Sequence, residues 1–196
     1  MITNRVNGPE IMKFFLSLFL ILGLAGCAAT KWPQLSGFLN DYRGMYRSNE
    51  VKGLFVYENP RKGVVQYNKF IVDPVTVIVG DASASTPAGA EEIKLLAQQF
   101  HDNIINSLKG NYAIVDQPGE GVLRIRAAVS QVQMHRFSWL QSAVIEAELV
   151  DTRTNERILA LLQERKGKAF KEWPQMLRER LDSYRRHPPQ IYESGG

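Results

Sequence analysis

Glu146 and Glu148 stand two residues apart in the run Ile145-Glu146-Ala147-Glu148-Leu149, where apolar residues alternate with carboxylates. On a β-strand that spacing sets both side chains on one face, about 6.5–7 Å apart, a separation that paired carboxylates use in glycoside hydrolysis. Arg124 and Arg126 repeat the spacing on another alternating run, Val122–Val132. If the two runs pair antiparallel, all four charges share a solvent face. The plainer outcome is then a cross-strand salt-bridge ladder whose pairs contribute roughly tenths of a kcal/mol each. The ladder is the expectation, with no catalytic residue assigned and a hydrolase as the alternative.

Other chemistry is sparse. His101, His135 and His187 are isolated from one another, and there is one cysteine, Cys27. No Gly-rich phosphate loop, nucleophile elbow or H-E-x-x-H stretch occurs, so neither metal nor cofactor is expected. His101 lies beside an apolar helical stripe and reads as a boundary residue. The segment Gln133–Gln141 carries Met134, His135, Arg136, Phe137 and Trp139 between two polar-faced strands. Its aromatic residues either tuck over the core or meet a partner or lipid, which makes Phe137, Trp139 and Arg136 candidate contacts. Segment Glu164–His187 holds eight basic and four acidic residues. Arg178, Arg185 and Arg186 there could form a basic surface toward lipid phosphates, although Glu179 and Asp182 interleave as on an ordinary solvated helix.

The sole cysteine sits at a place with its own chemistry. Lys13 precedes an apolar stretch, Phe14–Leu22, and Gly23-Leu24-Ala25-Gly26-Cys27 follows. A positive residue, a short apolar core and small residues before a cleavage point are the regions of a secretory signal peptide. The core is about half of the ~20 residues a membrane-spanning helix needs. Leu24-Ala25-Gly26-Cys27 resembles the lipobox of bacterial lipoproteins. The resemblance implies recognition of Leu24, Ala25 and Gly26 by a signal peptidase, cleavage before Cys27, and acylation of Cys27 through its thiol and new amino group. Each buried methylene contributes about 0.8 kcal/mol, so several long chains on one residue make a permanent anchor where one alone is marginal. Ala28, where an aspartate would retain such a protein at the inner membrane, implies the outer membrane of a Gram-negative cell. Met12 is expected to be the true start, with residues 1–11 an upstream extension.

Cleavage there removes Arg5, Lys13 and Glu10 and leaves 170 residues with a net charge of +3, against +4 for the whole 196-residue chain. A balance so close to neutral argues against nucleic acid as a partner. The chain divides into a signal peptide over 1–26, a lipidated cysteine and tether over 27–34, one domain over 35–187 and a flexible tail over 188–196. A tether of eight residues reaches at most ~28 Å, so the domain should ride close to its membrane.

The elements that must position these groups follow from periodicity. Leu35–Gly53 places Leu35, Phe38, Leu39, Tyr42 and Tyr46 at roughly helical spacing and reads as an irregular, partly helical arm lying on the domain. Leu54–Glu58 is a short strand. Lys69–Val79 is a β-branched run that Pro74 must send to an edge, bulge or break. Asp81–Gly89 reads as a loop. Glu91–Lys109 is an amphipathic helix with Glu91 and Glu92 in its first turn, Lys109 in its last and Gly110 as its stop. Tyr112–Asp116, Val122–Val132, Ser142–Asp151 and Arg157–Glu164 are strands, with Asn155 suited to the left-handed position of a hairpin loop. Trp173–Tyr184 is a second helix with Trp173, Leu177, Leu181 and Tyr184 on one face. The fold class is α+β: a two-layer domain, mostly antiparallel, with two packed helices and one parallel βαβ crossover from the Lys69 strand to the Tyr112 strand.

Leu35–Tyr42, Val72-Asp73-Pro74-Val75, Val115–Gly119 with Gly121–Arg124, and Ile145–Leu149 together resemble a Gram-negative lipoprotein family known only as a domain of unknown function. Two positions depart from its pattern. Asn155 stands where the hairpin usually has glycine, and Gly89 stands where the helix tends to begin acidic. The resemblance implies a periplasm-facing lipoprotein and no reaction or ligand. The function expected is a non-catalytic, membrane-anchored module of the cell envelope that binds an envelope protein. The alternatives are a lipid-binding or lipid-transport accessory that contacts phospholipid, and an envelope hydrolase.

Overall fold

The computed structural model describes residues 32–79, 87–134 and 140–187. The chain divides into two units, Met1–Trp32 and Pro33–Gly196, and the elements below belong to the second. It contains an eight-stranded mixed sheet: β1 (Tyr46–Arg47), β2 (Leu54–Glu58), β3 (Lys69–Val72), β4 (Thr76–Ile78), β5 (Ala113–Ile114), β6 (Val122–Met134), β7 (Leu140–Asp151) and β8 (Arg157–Lys166). The order across the sheet is β1-β2-β8-β7-β6-β3-β5, with β4 beside β6 beyond the end of β3. The helices are α1 (Pro87–Leu108), α2 (Lys168–Lys171) and α3 (Trp173–Arg186). This is the α+β class expected.

The long strands β6, β7 and β8 run antiparallel through the centre. Their odd-numbered residues, Ile125, Ala127, Val129, Ile145, Ala147, Leu149, Leu159 and Leu161, form the main core with the helices. Phe100, Ile104 and Leu108 of α1 and Trp173, Leu177 and Leu181 of α3 are buried against that face, each contributing about 1.5–3 kcal/mol. Phe100 stacks on Phe170 of α2 at 4.8 Å between centroids and lies 5.7 Å from Trp173, joining the three helices.

The crossover is as expected: β3, α1 and β5 make a parallel unit. Pro74 separates β3 from β4, and both strands run parallel to β6. The Asp73 N–H still reaches the Ile125 carbonyl at 3.0 Å, whereas Pro74 has no donor to continue the ladder.

Several boundaries differ from expectation. Helix α1 begins at Pro87, so residues 87–89 of the expected loop are helical and Glu91 and Glu92 lie in the second turn. There the helix dipole no longer favours them, because its effect falls off within one turn. The strand expected over Tyr112–Asp116 is two residues long, and the one-turn helix α2 adds an element before α3. The arm Leu35–Gly53 is not helical. Asn40, Gly37, Gly44 and Gly53 have φ of +59°, +86°, +73° and +72°, a left-handed conformation that cannot continue a right-handed helix. The arm bends repeatedly and lays Leu39 and Met45 against Phe55 of β2 and Val144, Ala160 and Leu162 of β7 and β8, on the face of the sheet opposite the main core.

Candidate functional site

The arm decides what becomes of the two carboxylates. Strands β6 and β7 pair with Arg126 opposite Glu148 and Ala128 opposite Glu146, so the antiparallel register and the shared face are as read from the alternation. The face is not solvated. Glu146 is 0% and Glu148 3% exposed, because the arm lies across them. Glu146 accepts the Ser36 N–H at 2.9 Å and the Tyr42 O–H. Burial and the adjoining Glu146 raise the Tyr42 pKa above its ordinary value, so the phenol stays a donor. Glu148 accepts Arg126 Nη1 at 2.6 Å and Arg157 Nε at 2.8 Å. Arg157 also donates to the Asp41 carbonyl at 2.6 Å and to the Leu39 carbonyl. One guanidinium thus ties a strand carboxylate to two backbone oxygens of the arm.

The ladder forms only in part. Arg126 pairs with Glu148, but Arg124 turns to Asp73 at 2.6 Å, and the partners of Glu146 are on the arm. Beside Glu148 lies a hollow of about 370 Å³ whose charged walls are Asp41, Arg43, Glu148, Arg126 and Arg157, net +1. Glu146 does not line it, so the two carboxylates do not flank a common opening.

A larger concavity, about 550 Å³, lies at the β1 edge of the sheet beside α3. Glu58 ends β2 and enters it. Arg180 and Tyr184, four residues apart on α3, face it together. Glu58 accepts the Tyr184 O–H and Arg180 Nη2, the latter at 3.2 Å, and Arg180 Nε donates to the Tyr184 oxygen at 2.8 Å. Glu50 reaches Arg180 Nη1 at 3.6 Å from outside, with 79% of its side chain exposed against 10% for Arg180. Burial and Glu58 raise the pKa of both Tyr46 and Tyr184. Its charged walls are Glu50, Glu58, Glu179 and Arg180, net −2.

This cluster is not apparent from local motifs. Glu58 reads as a strand end, and Arg180 as one charge among several on a helix. One signal was available: Arg180 falls inside the apolar stripe of Trp173, Leu177, Leu181 and Tyr184, and an inward charge needs a partner.

Among the other candidates, Arg178 Nη1 lies 4.0 Å from Asp182. Arg185 sits 4.3 Å from the Tyr112 ring centroid and donates to the Tyr67 carbonyl at 3.4 Å, while Arg186 is exposed. His101 is half-buried, its Nε2 3.3 Å from the Val72 carbonyl. Leu24, Ala25, Gly26 and Cys27, and Arg136, Phe137 and Trp139, lie outside the described residues. Among the described residues no group of His, Cys, Asp or Glu could hold a metal ion, and no helix is long and apolar enough to cross a membrane.

No curated protein matches the chain. Two solved structures of the PelC dodecamer from Paraburkholderia phytofirmans are similar to it. One, of a point variant, is 13% identical over 69% of this chain and 99% of that chain at a TM-score of 0.38. The other is 11% identical over 62% of this chain and 94% of that chain at a TM-score of 0.39. Asn155 has φ of +56°, the left-handed conformation expected of it in the hairpin loop, and Gly89 lies within α1. A family model matches residues 34–139, from the arm through β6, leaving Ile145–Leu149 beyond it. By that match the chain belongs to the family described as a protein of unknown function, DUF3313.

Proposed function

We propose that this chain is a lipid-anchored lipoprotein of the Gram-negative envelope, held at the outer membrane through Cys27 and facing the periplasm. There it acts as a non-catalytic module that binds or assembles an envelope protein. The observation that carries the reading is the fastening of the arm. Ser36, nine residues after Cys27, is bonded to the buried Glu146, and nine residues span at most about 30 Å. A lipid on Cys27 would keep this domain within that reach of the bilayer surface. Binding is favoured over hydrolysis because the carboxylates spaced for catalysis are occupied by the arm and by two arginines.

Two experiments test the reading. Cells fed an alkyne analogue of palmitate should label the native chain and not the Cys27→Ala variant, and the label should fractionate with the outer membrane. Equal labelling of the two, or none, would remove the anchor. Photo-crosslinking in intact cells from Phe137 and from Trp139 should trap a discrete protein. Adducts with lipid alone would instead favour a role in handling lipid.

A further inference from the structure

We infer that the 550 Å³ concavity between the β1 edge and α3 is a docking site for a lysine or arginine side chain of the partner protein. The inference rests on the reading of this chain as a binding module and names the chemistry that module recognises. The concavity is within the range of small-ligand sites, and its walls are sorted by polarity. Val51 and Met176 are apolar, and the rings of Tyr46 and Tyr184 join them. Such walls suit the methylene stem of a long basic side chain, and a tyrosine face attracts its cationic head.

The charge is complementary. Net −2 stands here in a chain whose overall charge is +4, so the concavity opposes the charge of the rest of the molecule. Arg180, already counted in that net, is shared between Glu58 and Glu50, and a carboxylate offers about four lone-pair sites. Glu58 accepts from Tyr46 as well as from Tyr184 and Arg180, which leaves it about one further acceptor site. Glu50 and Glu179 are exposed, and their partners, Arg180 at 3.6 Å from Glu50 and Gln175 at 2.9 Å from Glu179, leave each with acceptor sites that can turn to an incoming cation without disturbing the core. An acidic side chain would meet three carboxylates here, and an apolar one would bury Glu58 further from water at a cost.

The test places p-benzoylphenylalanine at Asn49 and, separately, at Ser183 in the full-length chain in intact cells, beside Phe137 and Trp139. The expected result is a discrete protein adduct from the concavity, with the cross-linked peptide carrying lysine or arginine. Its yield should fall roughly tenfold when E50K and E179K are combined, since facing like charges suppress association. Both positions are exposed, and an unchanged melting curve would show the double variant folded. E50Q with E179Q, which removes charge without reversing it, should give an intermediate loss. Yield indifferent to both pairs, adducts with lipid only, or a covalent dimer of this chain would each overturn the assignment. Silence from the concavity with a protein trapped at Phe137 or Trp139 would discard this site and leave the binding module standing. Silence at all four positions would discard both.

Discussion

The hollow at Glu148 and the concavity at Glu58 use the same parts in opposite proportion. In each, a strand glutamate meets an arginine that is mostly withdrawn from water. At Glu148 two guanidiniums serve one carboxylate, and Arg157 spends its remaining donors on the Leu39 and Asp41 carbonyls. At Glu58 one guanidinium is divided between two carboxylates. The first arrangement is closed, with all three guanidinium nitrogens of Arg157 directed at the protein itself. The second leaves negative charge uncompensated at the surface. A paired buried charge fixes where the chain goes, whereas an under-compensated exposed one is available to something else.

The sharpest way to break that contrast is to remove the closed carboxylate. Glu148→Ala leaves Arg157 and Arg126 without their shared partner beneath the arm, and losing one member of a buried ion pair costs about 3–5 kcal/mol. Urea unfolding of the variant should show a loss of that size, with faster proteolysis within residues 33–45 as the arm loosens. A loss below about 1 kcal/mol, the scale of a surface pair, would mean that Glu148 is solvated in solution and that the two regions do not differ in kind.

The arm's other fastening should be weaker. Tyr42→Phe removes one donor from Glu146, which is 0% exposed, and leaving a buried acceptor short costs about 1–3 kcal/mol. Ser36 still donates through its backbone, which no side-chain change removes. Glu58→Gln should cost less again, about 0.5–1.5 kcal/mol. The amide oxygen can still accept from Tyr184, and Glu50 keeps its share of Arg180. Denaturation midpoints of the three variants should fall in that order. Glu58→Gln costing more than Tyr42→Phe would show that the concavity, not the arm, is the rigid region.

Much of the closed region's strand chemistry was legible, because it is local. The alternation of Ile145, Glu146, Ala147, Glu148 and Leu149 places both carboxylates on one face whatever covers it, and Pro74 interrupts its strand wherever the strand sits. Neither the cover nor the concavity was legible. Ser36 meets Glu146 across 110 residues, and Tyr184 meets Glu58 across 126. Contacts at such separations follow from how sheet and helices stack, and no periodicity records them. The arm misled for a related reason. Its aromatic residues have a helix-like spacing, but left-handed turns at Gly37, Asn40 and Gly44 bring Leu39 and Met45 onto the sheet instead.

The smallest effect separates the two regions by pH. Asp41, on the wall of the Glu148 hollow, has its pKa lowered to about 2 by Arg43, which bonds its carboxylate through both side chain and backbone. A depressed carboxylate pKa contributes stability present above the unfolded value near 4 and lost as pH falls through about 2. Asp41 is exposed to solvent, so the contribution is small. At the concavity, burial and the adjoining Glu58 raise the Tyr46 pKa. A raised pKa acts at the other end: its stability is present below the unfolded value near 10 and is lost as pH rises through the higher folded value. Melting temperature against pH should therefore fall at both extremes, with Asp41 contributing to the acid limb and Tyr46, alongside other tyrosines of raised pKa such as Tyr42, to the alkaline limb. Asp41→Asn should flatten the acid limb alone, and Tyr46→Phe the alkaline limb alone. If one substitution moved both limbs, the hollow and the concavity would be coupled through the sheet between them, and the closed and open arrangements would be two ends of one network.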